Sequence, residues 1–248
     1  MNDLSQFDCL DDLQLGGWCI WQNSKFFRFG TDGVLLADFA RAKKGERSID
    51  LCSGTGIVPF MQMARGDLDR AEALELQPYL CRLMERSCAE NDCADRFAVI
   101  EGDVCNIPDL FERGQYDLVT VNPPYEPLGR GILGQNPHRE LARREVACTL
   151  EDIIKGAAYL LKSGGRLAMV HRPFRLPELL GLMERYGFAP ARLRFVETHA
   201  GERPALVLAE GILHSKRELT VEPTLILHRE DHEMTDELLK IYRRKRKQ

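Results

Sequence analysis

The sequence predicts an α/β three-layer sandwich built on a mostly parallel β-sheet. Short apolar runs alternate with helical stretches from about residue 34 onward. Gly, Pro, Asn and Ser punctuate the junctions between them. Strands that alternate with helices pair in parallel, because each helix carries the chain back across the sheet. Near the C-terminus two strands follow each other with turn residues between them, which predicts an antiparallel pair.

The elements follow in order. A helix is expected over Val34–Ala40, with Thr31 and Asp32 available to cap it. Ser48-Ile49-Asp50-Leu51-Cys52 is the first strand, followed by glycine punctuation and a helix from about Val58. Ala71–Leu76 is the second strand; alanine and glutamate favour helix, but Gln77-Pro78 opens the next helix, Leu80 to Asn91, and so ends it. Phe97–Glu101 is the third. Tyr116–Val121, β-branched and apolar, is the clearest strand and is stopped by Asn122-Pro123-Pro124. The next helix starts at Thr149, whose hydroxyl can pair with Asp152 in a capping box, and is expected to stop at Ser163-Gly164-Gly165. Arg166–Val170 is the fifth strand. After a helix over Leu176–Tyr186, Arg192–Glu197 and Ala205–Glu210 form the antiparallel pair.

The chain has 248 residues, 44% hydrophobic and 29% charged, which excludes disorder and collagen and supplies a sizeable core. No apolar run approaches the roughly 20 residues that a membrane span needs. The first residues are acidic where a secretory signal is basic, so a soluble, cytoplasmic protein without membrane contact is expected. There are no repeats and no Pro/Ser-rich linker. One main domain over residues 29–232 is therefore expected, with a short N-terminal extension over 1–28 (strands packing on the core) and a basic helix or tail over 233–248. The eight cysteines form no Cys-x-x-Cys pair, so free thiols and no metal site are expected. The formal charge of −4 is uneven: the residues from Asp236 to the end carry two acids and six bases. That basic end is either a solvated helix or a foot for a polyanion.

In a sheet of this kind ligands bind at the carboxyl ends of the strands. After the first strand comes Asp50-Leu51-Cys52-Ser53-Gly54-Thr55-Gly56, where Gly-x-Gly permits a tight turn and close backbone approach. Glu75 closes the second strand, near the spacing at which an acid accepts hydrogen bonds from ribose hydroxyls. Asp103 follows the third strand and could meet an adenine amine. A dinucleotide fingerprint wants another glycine three residues after Gly56, and that residue is Pro59. An adenosine ligand without a pyrophosphate is the better match, which favours S-adenosylmethionine over NAD. Cys52, Gly54 and Gly56 line this candidate cofactor loop with Asp50, Glu75 and Asp103.

Asn122-Pro123-Pro124-Tyr125 ends the fourth strand at the same sheet edge. Together with Phe29–Leu36, Asp50–Gly56, Ala142-Arg143-Arg144-Glu145 and Val170-His171-Arg172-Pro173, it resembles the class I S-adenosylmethionine-dependent methyltransferases of the Asn-Pro-Pro-Tyr type. More narrowly, it is similar to the bacterial tRNA adenine-N6 methyltransferases that modify a valine tRNA beside its anticodon. The resemblance implies a Rossmann-like, mostly parallel seven-stranded sheet with an antiparallel strand near the C-terminus. It implies S-adenosylmethionine as cofactor, leaving as S-adenosylhomocysteine, a tRNA partner, and a monomer or weak homodimer. Thr31 and Asp32 would then border the methionine end of the cofactor, and Asn122 would be a further cofactor-binding residue. Asn122, Pro123, Pro124 and Tyr125 would hold the target amine and base. The chain departs from the family fingerprint at Cys52, where glycine is usual.

The 23 residues from Glu126 to Cys148, with Arg130, His138, Arg139, Arg143 and Arg144, are long for a loop and are expected to be a lid, a binding element or a surface insertion. With Arg172, Arg175, Lys245 and Arg246 these bases could form a discontinuous phosphate-binding surface. His171 is expected to be a core or strand-end histidine. Two other readings stay open: methylation of a glutamine side-chain amide in a protein, whose enzymes usually carry a larger N-terminal helical domain, and a non-catalytic cofactor- or RNA-binding protein. DNA adenine methylation ranks behind these, as no separate target-recognition domain is visible.

Overall fold

β-Branched and apolar runs form the central strands because both of their faces are covered by helices. The computed structural model describes residues 4–25, 28–123 and 148–243. Its main sheet runs β10 (Thr220–Ile226), β8 (Phe188–Glu197), β9 (Leu206–Leu213), β7 (Leu161–His171), β6 (Tyr116–Val121), β3 (Ser48–Leu51), β4 (Ala71–Glu75), β5 (Phe97–Glu101). Five of these strands, β5 Phe97–Glu101, β4 Ala71–Glu75, β3 Ser48–Leu51, β6 Tyr116–Val121 and β7 Leu161–His171, pair in parallel. β9 (Leu206–Leu213) is antiparallel to both β7 and β8 (Phe188–Glu197), the pair expected from the turn residues between them.

The sheet has eight strands, one more than the expected seven. The addition is β10, Thr220–Ile226, parallel to β8 at the outer edge. Its Pro223 cannot donate to a ladder, and the register shifts between Glu222 and Leu225, as suits an edge position.

Helices α1 (Thr31–Phe39), α2 (Ile57–Ala64) and α3 (Pro78–Glu90) cover one face, joined by the C-terminal α7 (Asp236–Ile241). Val34, Phe60, Met61 and Leu238 meet there in one cluster. The short α4 (Ile107–Leu110), α5 (Leu150–Leu160) and α6 (Leu176–Arg185) cover the other face, where Tyr116, Ile153, Ile154 and Met183 pack together. An N-terminal antiparallel hairpin, β1 Asp8–Asp12 and β2 Cys19–Asn23, forms a separate two-stranded sheet. It is tied to α3: Asp8 accepts from Tyr79 and pairs with Arg86, whose guanidinium lies 3.7 Å from the Trp21 ring centroid.

Three local expectations are adjusted. α1 begins at Thr31 with Gly30 as its N-cap, so Thr31 and Asp32 sit inside the first turn and no side chain caps it. There Asp32 is an acid at the positive end of the helix dipole. Thr149 and Asp152 do form the capping box of α5, but that helix ends at Leu160, before Ser163-Gly164-Gly165. Leu161 already pairs with Tyr116, and the register then shifts so that Leu118 faces Arg166; the glycines form a bulge within β7 instead of a helix stop.

Candidate active site

β3 leads to β4 and β5 on one side of the sheet, and the chain then returns to lay β6 and β7 on the other. The order reverses between β3 and β6, and such a switch point opens a crevice at the strands' carboxyl ends. Asp50 on β3 stands in register with Thr120 on β6. Its carboxylate is 3% exposed and accepts from Thr120 Oγ1 at 2.5 Å and from Ser53 Oγ at 2.6 Å. Burial pushes the Asp50 carboxyl up to about 7, against the opposing pull of these two hydroxyls.

A second carboxylate holds the loop from the β4 side. Glu75, also buried, accepts from Gly54 N–H and from Gln77 N–H, both at 2.9 Å. Desolvation raises its pKa as well. Between the two acids the chain is left-handed at Cys52 (φ +54°), Gly54 (+60°) and Gly56 (+84°). A Cβ on Gly56 would lie 2.9 Å from the Phe60 ring and 3.1 Å from Met84 Sδ, so only glycine is accommodated. Cys52 is where the family pattern has glycine, and its left-handed backbone is the reason glycine suits the position. Its thiol pairs with that of Cys148, and this contact together with burial keeps it protonated. The Thr55 hydroxyl, fully buried at the crest, has no hydrogen-bond partner among the described residues.

The other predicted cofactor residues surround this loop. A Cβ on Gly33 would lie 2.6 Å from Ile57 Cγ2, so the first turn of α1, with Thr31 and Asp32, packs against the start of α2 beside Gly56. Thr31 also faces the C-terminal segment, receiving the Tyr242 hydroxyl at 3.4 Å. Asp103 caps the 3-10 turn after β5 by accepting from Cys105 N–H at 2.9 Å. Leu76, next to Glu75, and Leu110, packed against Gly102 after β5, are 38% and 42% exposed and offer apolar surface, as a purine face would need. Ser53, Thr55, Thr120, Leu76 and Leu110 were not singled out from the sequence. Thr120 carried a signal, a hydroxyl within an otherwise apolar central strand.

Val121 pairs with Leu51, which puts Asn122 beside Cys52 at the crevice, and Pro123 follows it, buried. Pro124, Tyr125, Arg130, Arg139, Arg143, Arg144, Lys245 and Arg246 lie outside the described residues. Arg172, exposed at the end of β7, donates from Nη1 to the Ala205 carbonyl at 3.2 Å. His171 is buried and accepts from Arg172 N–H through Nδ1 at 2.8 Å. Burial and the neighbouring Arg175 lower its pKa to about 4, so it is neutral at physiological pH and supports the strand end. The described cysteines are free thiols, and among the described residues no cluster of His, Cys, Asp or Glu is placed to hold a metal ion.

The donor set suits an adenosine-bearing cation. Two buried carboxylates, a buried hydroxyl lacking a partner and an open glycine crest supply acceptors and close backbone approach without a pyrophosphate cradle.

Comparisons with known proteins point the same way. A family model described as the methyltransferase small domain matches residues 28–186. A Porphyromonas gingivalis protein named tRNA1(Val) (adenine(37)-N6)-methyltransferase is 29% identical over 74% of this chain and 73% of its own. A protein of the same name from Tolumonas auensis is 29% identical over 86% of each chain. Among solved structures, one described as a predicted O-methyltransferase from Agrobacterium tumefaciens superposes with a TM-score of 0.70 at 22% identity, covering 86% of this chain and 95% of that one. At that identity the likeness concerns the fold.

Proposed function

The chain belongs to the methyltransferase small-domain family, and from that membership we propose that it methylates the exocyclic N6 amine of an adenine in tRNA, beside the anticodon of a valine tRNA, using S-adenosylmethionine. The observation that carries the reading is the pairing of two neighbouring strand ends. β3 brings a glycine crest strapped between Asp50 and Glu75, and β6 brings Asn122-Pro123 directly alongside it. The relatives named as tRNA adenine-N6 methyltransferases support adenine as the target.

Asp50, Glu75, Thr55, Asp103 and the backbone of Gly54 and Gly56 would hold the cofactor, with Thr31 and Asp32 at its methionine end. Bound there, the cofactor supplies an electrophilic methyl on a sulfonium sulfur and leaves as S-adenosylhomocysteine.

An adenine amine is a weak nucleophile because its lone pair is delocalised into the ring. Asn122 Oδ1 and the Pro123 carbonyl would accept its two N–H bonds, turning the lone pair out of the ring plane. The same acceptors stabilise the positive charge that develops on nitrogen. The nitrogen then sheds one proton to solvent, so no strong general base is required. Alignment supplies much of the rate. By family resemblance Tyr125 would stack on the base, which has to leave the loop's stack to enter the crevice.

Tritium transfer tests this. Label from the cofactor should enter tRNA lacking its own modification and digest as N6-methyladenosine. Label in a protein glutamine amide, with none in tRNA, would refute it.

A further inference from the structure

Two thiols meet at the crevice. Cys52 follows β3 on the crest that carries Gly54 and Gly56, and Cys148 directly precedes Thr149, the N-cap of α5. Cys148 is buried in the apolar cluster of Leu51, Val121, Leu150 and Ile153. Cys52 is half-buried, packs against the same cluster and hydrogen-bonds the Cys148 thiol. Leu51 and Val121 are paired across β3 and β6, so the contact lies beside the strand end that leads to Asn122.

The placement of Cys52 is unusual. Its backbone is left-handed (φ +54°), a conformation that glycine adopts without a steric cost, yet a reactive side chain stands there. It also stands between the two straps of the crest. On one side Ser53 Oγ donates to Asp50 at 2.6 Å, and on the other Gly54 N–H donates to Glu75 at 2.9 Å. A second thiol pair, Cys88 and Cys93, closes the C-terminal turn of α3, where Cys93 N–H donates to the Cys88 carbonyl at 3.0 Å. Both of those cysteines are buried, so a small oxidant reaches Cys52 before it reaches them.

We propose that Cys52 and Cys148 form a reversible disulfide when the protein meets a peroxide, and that this bond disables the cofactor crest. The consequence for the cofactor rests on the crest being an S-adenosylmethionine site. Hydrogen peroxide takes one sulfur to a sulfenic acid and releases one water; the second thiol then displaces the sulfenic oxygen, releasing another. Overall the two thiols give up two hydrogens and two electrons, and one peroxide becomes two waters. A dithiol reductant reverses the bond by exchange. The covalent bond draws the sulfurs closer than any non-bonded contact. On the α5 side Cys148 is anchored by the capping box, in which Thr149 Oγ1 and Asp152 Oδ2 lie 2.6 Å apart. The displacement therefore falls on the crest, whose hydrogen bonds to Asp50 and Glu75 weaken steeply with misalignment.

The test treats the full chain with hydrogen peroxide and then alkylates it. Peptide mass spectrometry should find Cys52 and Cys148 joined in one cross-linked species, which dithiothreitol returns to two thiols. By calorimetry, oxidation should raise the Kd for S-adenosylhomocysteine by about tenfold or more, as for losing one hydrogen bond to a charged group. Dithiothreitol should restore the reduced value. Cys148→Ala keeps a small apolar group in the cluster and should bind S-adenosylhomocysteine as reduced wild type does, before and after peroxide. Cys52→Gly, compared with its own untreated value, should also be indifferent to peroxide, and Cys88→Ala should stay as sensitive as wild type. Absence of the cross-linked species, or its presence with an unchanged Kd, would overturn this inference alone. An equal loss of binding in peroxide-treated Cys148→Ala or Cys52→Gly would also overturn it, since another oxidised side chain would then be responsible. Reduced wild-type protein that binds neither S-adenosylmethionine nor S-adenosylhomocysteine would overturn both this inference and the reading beneath it.

Discussion

Replacing Asp50 by asparagine removes a buried carboxylate while keeping its shape. In the unfolded chain this carboxyl titrates near 3.9, and in the folded protein burial pushes it up to about 7. The folded state therefore keeps a proton that the unfolded chain releases across that window. The sign follows: the contribution of Asp50 to stability is greatest below pH 4, declines as pH rises, and has been lost by about pH 7. Three pKa units at 1.36 kcal/mol each give a decline of about 4 kcal/mol. Asparagine cannot ionise; one of the Ser53 and Thr120 hydroxyls can still donate to its single oxygen, and the other can accept from its amide N–H. Urea unfolding between pH 4.5 and 8.5 should show Asp50→Asn within about 1 kcal/mol of wild type at the acid end. It should be more stable by about 2–4 kcal/mol at pH 8. At pH 8, where Asp50 is ionised, the same variant should bind S-adenosylmethionine at least about tenfold more weakly, because an ionised acceptor is gone. A stability difference independent of pH would refute the reasoning.

Other consequences follow from the same geometry. Asn122→Ala should retain cofactor affinity in calorimetry while kcat falls by about 10²- to 10³-fold, the usual loss for one preorganised charge-stabilising group. Gly56→Ala should destabilise by about 2 kcal/mol in urea and abolish measurable cofactor binding, since its Cβ meets Phe60 and Met84 in a left-handed turn. Arg192 holds the buried Glu210 through two bonds of 3.0 Å, and Arg166 Nη1 holds it at 3.2 Å, so Arg192→Leu should cost about 1–3 kcal/mol in urea unfolding, less than for a buried charge left wholly unpaired. Adding Glu210→Leu to it should recover much of that loss.

The parts of the fold legible in the sequence are those where local pattern and burial agree. β3 and β6 are apolar because they lie mid-sheet, and their ends announce themselves through Gly-x-Gly and Asn-Pro-Pro. The boundary between α5 and β7 was hidden, because Gly164-Gly165 serves equally as a helix stop and as a bulge. Only the pairing of Leu161 with Tyr116, 45 positions away, decides between the two. β10 has a weak local signature, since it contains Pro223, a residue that central strands exclude and an edge strand tolerates. Within the site, the spacing of Glu75 from the glycine loop was readable. The Thr120 and Ser53 bonds to Asp50 depend on parallel register that local sequence does not encode. Cys52 shows the reverse: the departure from glycine was visible, and its left-handed backbone supplies the physical meaning.

The claim that most needs testing is the identity of the methyl acceptor. Unmodified valine tRNA incubated with the protein and S-adenosylmethionine, digested by a base-specific ribonuclease and analysed by mass spectrometry, addresses it directly. Adenine-N6 transfer predicts the mass gain of one methyl replacing one hydrogen on the adenine beside the anticodon, with the nucleoside eluting as N6-methyladenosine and its formation far slower with Asn122→Ala. Unmethylated tRNA alongside a methylated protein glutamine amide would contradict it.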